Sequence, residues 1–270
     1  MNFETIQIIK EDHIATVILN RPDKRNALNR RMIEELSLAL PDIAEDDDIR
    51  VMILTGSGKA FCAGADVDIM PGGGNVEEMG ELGVEALRRS FIFKSAKKII
   101  MTIQQMEKPT IAMINGVCVG AGVDLALVCD IRLANTYAKF MCGFVRLGLF
   151  PGFGAAWLYP RAMGLAKGLE LLFTGDMLDA KEAKEIGMLN KLTSPDELES
   201  ATRTLAQKIA AGPPIAIRLM KSQVYKGLCT DLDMAMDDAA VCESITLASK
   251  DHLEGITAFR EKRVPSFKGD

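Results

Sequence analysis

The sequence has almost no histidine. Only His13 and His252 occur, and neither has a cysteine or a second histidine at ligand spacing. That argues against a histidine-built metal site and against a Ser-His-Asp triad, both of which need imidazole. The six cysteines, at positions 62, 118, 129, 142, 229 and 242, form no CxxC pair. Most sit among apolar neighbours, the pattern of reduced thiols in a cytoplasmic protein rather than of a disulfide scaffold. No apolar run reaches the ~20 residues that span a bilayer, so no membrane partner is expected. Positive charge is not in excess: 32 Lys and Arg against 37 Asp and Glu leave a net charge of −5, with no general pull toward nucleic acid. The opening residues "MNFETIQIIKEDH" alternate and carry acid, unlike a secretory or transit leader.

What remains is a chain of 270 residues, 48% hydrophobic and 26% charged, the composition of an ordinary globular protein with one domain or a core plus an appendage. "FETIQIIKEDHIATVILN" holds two alternating runs split by "KEDH", which predicts a hairpin. A polar turn, "RPDKRNALN", opens a helix over 28–44. "IRVMILTGSG" and "KPTIAMING" read as buried strands stopped by glycine turns. "FCAGADVDIM" leads into a short helical piece, "PGGGNV" at 71–76 is a break, and a long helical stretch is expected over 76–106. "AGVDLALVCD" starts a helix and "IRLAN" a strand. "LGLFPGFGAAW" is a loop before another helix. From about residue 180 the chain reads as mostly helical, with a break at "AAGPP". No long internal repeat is visible.

Two glycine-containing turns carry the chemistry. "CAGAD" (62–66) and "GAGVD" (120–124) each follow a buried strand and lead into a helix. Small residues let ligand atoms approach the backbone, and the N–H groups of a helix start favour anions. Two such turns could aim donors at one oxygen, as an oxyanion hole does; singly, each is an ordinary strand-to-helix turn with an acid near a helix start. Neither is a GxGxxG fingerprint or a Walker A loop.

"GKAFCAGAD", some fifty residues before "INGVCVGAGVDLALVCD", resembles the crotonase family, also called the enoyl-CoA hydratase/isomerase superfamily. "LNRPDKRNALN" is similar to the family's early coenzyme A turn, "AKFMCGFVRLGLFPGFGAAWLYPRAMG" to its second active-site segment and "EGITAFREKRVPSFKG" to its C-terminal signature. The resemblance covers nearly the whole chain. It implies an α/β, crotonase (ClpP-like) fold of repeated ββα units with a helical C-terminal trimerisation region. Residues 1–195 would form the ββα spiral with the thioester site and 196–270 the helical region. The substrate would be an acyl-CoA thioester, and coenzyme A would enter as part of the substrate, with no separate cofactor and no metal. The backbone N–H groups of Ala65 and Ala121 would hold the thioester oxygen as it becomes enolate-like. Asp124 matches a catalytic carboxylate of the family, usually Glu; its other reading is a helix-start acid favoured by the helix dipole.

The sequence also departs from the family. Where typical hydratases carry a second Glu, the aligned residue is Phe144, and where related isomerases and a dehalogenase carry Asp after the proline of "FPG", it is Gly152. One carboxylate can still act as acid and base in turn if it reaches both positions. Phe144, with Phe150 and Phe153, would make that wall apolar and suited to a bulky or cyclic acyl group; simple core packing is the other reading. Lys24, Arg25 and Ala27 would sit in the coenzyme A turn, the lysine and arginine near phosphates. Ala63 would offer its carbonyl to the adenine edge, and Asp66 would cap the helix or hold that turn. Phe259 and Lys262 match positions that reach a nucleotide, often a neighbouring subunit's. "MPGGGNV" is expected to belong to a lid over the acyl pocket, and Arg146 has no assigned role. The leading expectation is hydration or dehydration of an α,β-unsaturated acyl-CoA in a homotrimer or dimer of trimers. A double-bond isomerase and a non-catalytic acyl-CoA-binding protein are the alternatives.

Overall fold

The computed structural model describes residues 3–66 and 91–270. Strands β1 (Ile6–Glu11) and β2 (Ile14–Leu19) form the expected hairpin. Its two-residue turn, Asp12 and His13, is left-handed at both positions, with φ of 50° and 62°, the twist that tight hairpins need. Helix α1 (Arg30–Glu45) begins where the Asn29 side chain accepts from the Met32 N–H at 2.9 Å, a good N-cap. Its buried positions Met32, Ile33, Leu36, Leu40 and Ile43 follow the helical period and form one apolar stripe.

Strands β3 (Val51–Gly56), β5 (Thr110–Ile114), β7 (Ile131–Asn135) and β10 (Lys191–Thr193) extend the hairpin into one sheet of order β1-β2-β3-β5-β7-β10. From β2 onward every pair is parallel. A second sheet runs β4 (Ala60–Cys62), β6 (Val117–Val119), β8 (Lys139–Met141) and β9 (Met177–Asp179). Each of β3, β5 and β7 thus crosses a short corner into its successor in the other sheet, and a helical segment follows. Parallel strands covered on both faces read as continuous apolar runs, and β3 shows why. Met52 and Leu54 face the main core with Leu36, Leu40 and Phe61, while Val51 and Ile53 face Leu198, Ala206 and Ala210.

The corners share one device. Asn26 Nδ2 donates to the Ser57 and Ala60 carbonyls. Asn115 Nδ2 donates to those of Gly56 and Gly58, and Asn135 Nδ2 to that of Asn115. The repeat absent from the sequence is therefore present in space, each unit hung on an amide from another corner.

Helices α2 (Phe91–Gln105) and α3 (Ala121–Val128) pack beside α1 in the main core. Helices α4 (Ala155–Met163), α5 (Leu165–Thr174) and α6 (Ala180–Glu185) follow. From residue 180 the chain is mostly helical, as expected, with β10 the one strand among the described residues there, too short to show alternation. Helix α7 (Leu198–Ala210) covers the second face of the large sheet. Helices α8 (Pro214–Gly227), α9 (Leu232–Leu247) and α10 (Lys250–Glu261) complete the chain. Polar pins fasten them: Lys221 Nζ lies 2.8 Å from Asp130, and the Tyr225 hydroxyl donates to the same carboxylate at 2.9 Å. Among the described residues no helix is long and apolar enough to cross a membrane. The short helix after "FCAGADVDIM", the first part of the 76–106 stretch and the "MPGGGNV" segment lie outside the described residues.

Candidate active site

Strands β4 and β6 are parallel neighbours, and Cys62 pairs with Cys118 in their register. The turn after each strand therefore leaves the small sheet at the same edge. Ala65 and Ala121 each lie three residues beyond a paired cysteine. The turns touch: a side chain built on Gly64 would place its Cβ 3.6 Å from the Ala121 nitrogen and 2.8 Å from the Val119 carbonyl oxygen. Gly64 has φ +90° and Gly120 φ +53°, conformations that favour glycine.

The two amides of interest face this junction. Ala65 bridges Leu28 in parallel fashion, but the bonds are made by its neighbours: Leu28 N–H donates to Gly64 O and Asp66 N–H to Leu28 O. Alternation along an extended chain then turns the Ala65 N–H away from Leu28. Ala121 is the first residue of α3, whose preceding Gly120 offers no side-chain cap, and a first-turn N–H lies outside the intrahelical ladder. Two backbone N–H groups thus lie on turns that touch at a glycine contact, an arrangement compatible with an oxyanion hole.

Helix α3 is buried along its whole length, and Asp124 in its first turn is fully buried. Neither carboxylate oxygen has a hydrogen-bond partner among the described residues. The helix dipole favours a charge here, but burial dominates and pushes the Asp124 carboxyl well above the usual carboxylate range. Among the described residues its titratable neighbours are Cys118, Cys142 and Tyr159, each coupled electrostatically to Asp124. Burial raises all three as well. Burial therefore disfavours the charged form of Asp124 relative to the proton-carrying one.

The first turn is organised by residues that sequence reasoning passed over. Arg21 donates to Asp66 at 2.9 Å and to the Ala27 carbonyl at 2.5 Å. Fully buried Asn26, left-handed at φ 56°, accepts from the Arg21 N–H and donates to two carbonyls of the next corner. Asp66 thus holds the turn through Arg21. Ala63 N–H donates to Arg25 O at 2.9 Å, which ties Lys24 and Arg25, both exposed, to the same turn. Ala27 is buried beneath them.

The apolar wall needs correction. Phe144 is half-buried, and its ring approaches the Cβ position of Gly120 at 3.6 Å, so it does border the second turn. Phe153 belongs to the main core and Phe150 stands 79% exposed. Local geometry separates them, because the 3-10 turn at Gly143–Leu147 ends in left-handed Gly148 and carries the chain outward. Arg146 makes a surface ion pair with Asp176 at 3.2 Å. Phe259, 86% exposed, borders a 560 Å³ groove with Pro213, Ile256 and Phe267 on the helical tail, and Lys262 ends α10. Among the described residues no group of three or more His, Cys, Asp or Glu is placed to hold a metal ion.

Comparison with known proteins bears on the family and the fold. A model of the enoyl-CoA hydratase/isomerase family matches residues 10–270. The crotonyl-CoA hydratase of Syntrophomonas wolfei is 38% identical over 270 residues, covering 99% of both chains. The 1,2-epoxyphenylacetyl-CoA isomerase of Escherichia coli is 34% identical, covering 96% of both. Among solved structures, an enoyl-CoA hydratase from Bacillus anthracis superposes with a TM-score of 0.89 at 33% identity, covering 99% of this chain and 100% of that one.

Proposed function

Because this chain belongs to the enoyl-CoA hydratase/isomerase family, we propose that it adds water to the double bond of an α,β-unsaturated acyl-CoA thioester, and removes it in reverse. The observation that carries this reading is Asp124, a fully buried carboxyl with no hydrogen-bond partner among the described residues, one helical turn beyond the junction of the two glycine turns. In this reading the Ala65 and Ala121 N–H groups hold the thioester oxygen. The water oxygen bonds to the β-carbon, and the double-bond pair takes the Asp124 proton at the α-carbon. The other Asp124 oxygen accepts the proton that water releases. Negative charge gathers transiently on the thioester oxygen, where the two amides meet it, and the carboxyl ends protonated as it began. A single acid suffices because one oxygen gives as the other receives.

The exposed Lys24 and Arg25 flank the turn that carries Ala63 and suit the phosphates of coenzyme A. Phe259 and Lys262 would serve the nucleotide end of a substrate bound to a neighbouring copy. We assign assembly as a homotrimer, or a dimer of trimers, to the tail. Helices α8 and α9 bury no residue within one chain, and they leave Val224, Leu232, Met236 and Val241 exposed, more apolar surface than a monomer normally shows. All six cysteines are free thiols, in keeping with a reducing cytoplasm.

The test is turnover of linear, branched and cyclic enoyl-CoA thioesters in heavy-oxygen water. Hydration incorporates label at the β-carbon. Migration of the double bond without label would establish an isomerase instead, and binding without any change in the enoyl absorbance would establish a carrier.

A further inference from the structure

Helix α4 packs directly against α3. Tyr159, on α4, is one of the largest fully enclosed side chains of the protein. Its hydroxyl lies near the Cys142 thiol without the geometry of a hydrogen bond, and it has no partner among the described residues. Asp124, across the helix pair, is in the same condition at both oxygens. A buried polar group left unbonded costs about 1–3 kcal/mol, and each such group in a folded protein calls for an account. Packing gives none for this oxygen, since phenylalanine would fill the same space without the cost. Among the described residues the titratable groups coupled to the two orphans are Cys118 and Cys142, weak hydrogen-bonding partners. Unbonded phenol and carboxyl oxygens on two packed helices offer donors and acceptors that one water, or one alcohol oxygen, would satisfy together.

We infer that the Tyr159 hydroxyl is the second protein contact for the oxygen that adds to the substrate. It holds that oxygen beside Asp124, where this chain places Phe144 in the aligned position of a second carboxylate. The inference rests on the hydratase reading above and adds to it the residue that positions the water. Tyr159 keeps its proton throughout, because burial above all pushes its hydroxyl well above the usual phenol range. It donates a hydrogen bond and transfers nothing.

Two reactions separate this role from a structural one. Exchange of the α-hydrogens of a saturated acyl-CoA in deuterated water needs the donor turns and the ionised fraction of Asp124, which takes the α-hydrogen and returns deuterium, but no added water oxygen. Hydration of the matching enoyl-CoA needs both. In Tyr159→Phe, kcat for hydration should fall about tenfold or more, the loss of one buried hydrogen bond. KM should stay within threefold and α-exchange within twofold of the parent. Asp124→Asn should lose both reactions. Hydration within twofold of the parent in Tyr159→Phe overturns the inference and leaves the hydratase reading intact, as does an equal loss of both reactions. Retention of both by Asp124→Asn overturns the reading itself. Should Tyr159→Phe fail to fold, 3-fluorotyrosine at 159 keeps the ring and changes the acidity of the hydroxyl. Hydration must then change by more than twofold while α-exchange does not, and an unchanged hydration rate overturns the inference.

Discussion

Asp66 and Asp124 end the same kind of turn. Each follows a short strand of the small sheet, a cysteine of the paired register and a glycine-alanine step. Yet Asp66 meets a guanidinium at 2.9 Å, and Asp124 has no hydrogen-bond partner among the described residues. The difference comes from what covers each turn. Arg21 lies over the first, and the second is roofed by apolar helices. A paired carboxylate holds a structure together, while an orphan in a dry site is costly to fold and available for chemistry. The same residue type in the same local pattern thus takes two roles, decided by tertiary neighbours.

The sharpest way to break this comparison is Asp124→Asn. It should lower kcat for hydration by about a thousandfold, within the usual range for removing a general acid-base group, which is roughly 4 kcal/mol of transition-state stabilisation. Stability should move the other way. The folded carboxyl titrates well above its unfolded value. Its contribution to stability is therefore fully present below the unfolded value near 3.8 and is lost as pH rises through the folded value. Asparagine does not ionise, so Asp124→Asn should gain on the parent as pH climbs above that point. Thermal midpoints measured from acid to alkaline pH check this, and a constant difference between the two proteins would contradict a neutral buried carboxyl.

Gly64→Ala attacks the contact between the turns rather than either acid. The new Cβ would sit 2.8 Å from the Val119 carbonyl oxygen at a φ of +90°, so strain and overlap together should cost about 2–4 kcal/mol. Urea midpoints at unchanged slope read the loss. Activity per folded molecule should also drop, because Val119 leads into the Ala121 amide.

Asp66→Asn tests the paired partner. Asp66 is only 8% exposed and Arg21 is largely covered, so the substitution leaves a guanidinium with its remaining bond to Ala27 O. About 1–2 kcal/mol of stability should go, with kcat changed far less than by Asp124→Asn. A loss of kcat as deep as that of Asp124→Asn would erase the distinction between the two acids.

Much of this contrast is legible in the sequence, and its limits are physical. The two turns and the ordered motifs follow from residue identity and spacing, and the missing second carboxylate at Phe144 from the resemblance to the family. The long strands were legible because their faces are buried and their runs apolar. The small sheet was not, since three-residue strands such as Val117–Val119 are too short to alternate. The repeat of corners was hidden because its units share an asparagine role and little else: Asn26, Asn115 and Asn135 occupy different local sequences. The wall was misjudged at Phe150, whose direction is set by a left-handed glycine after the turn. Tyr159 sat unremarked in "WLYP", because nothing local tells that its oxygen lacks a partner. Partnership is a property of the assembled core.

Arg146→Ala completes the series with an acid that is both paired and wet. Asp176 meets Arg146 at 3.2 Å with the carboxylate 67% exposed. Solvent screens such a pair, and holding two mobile side chains in one geometry offsets most of the attraction. The substitution should change stability by less than about 0.5 kcal/mol and leave hydration kcat within twofold. The effect should shrink further as salt is raised. A larger, salt-independent loss of activity would mean that the 3-10 turn carrying Phe144 is held in place by this arginine. The apolar border of the second turn would then depend on a surface charge.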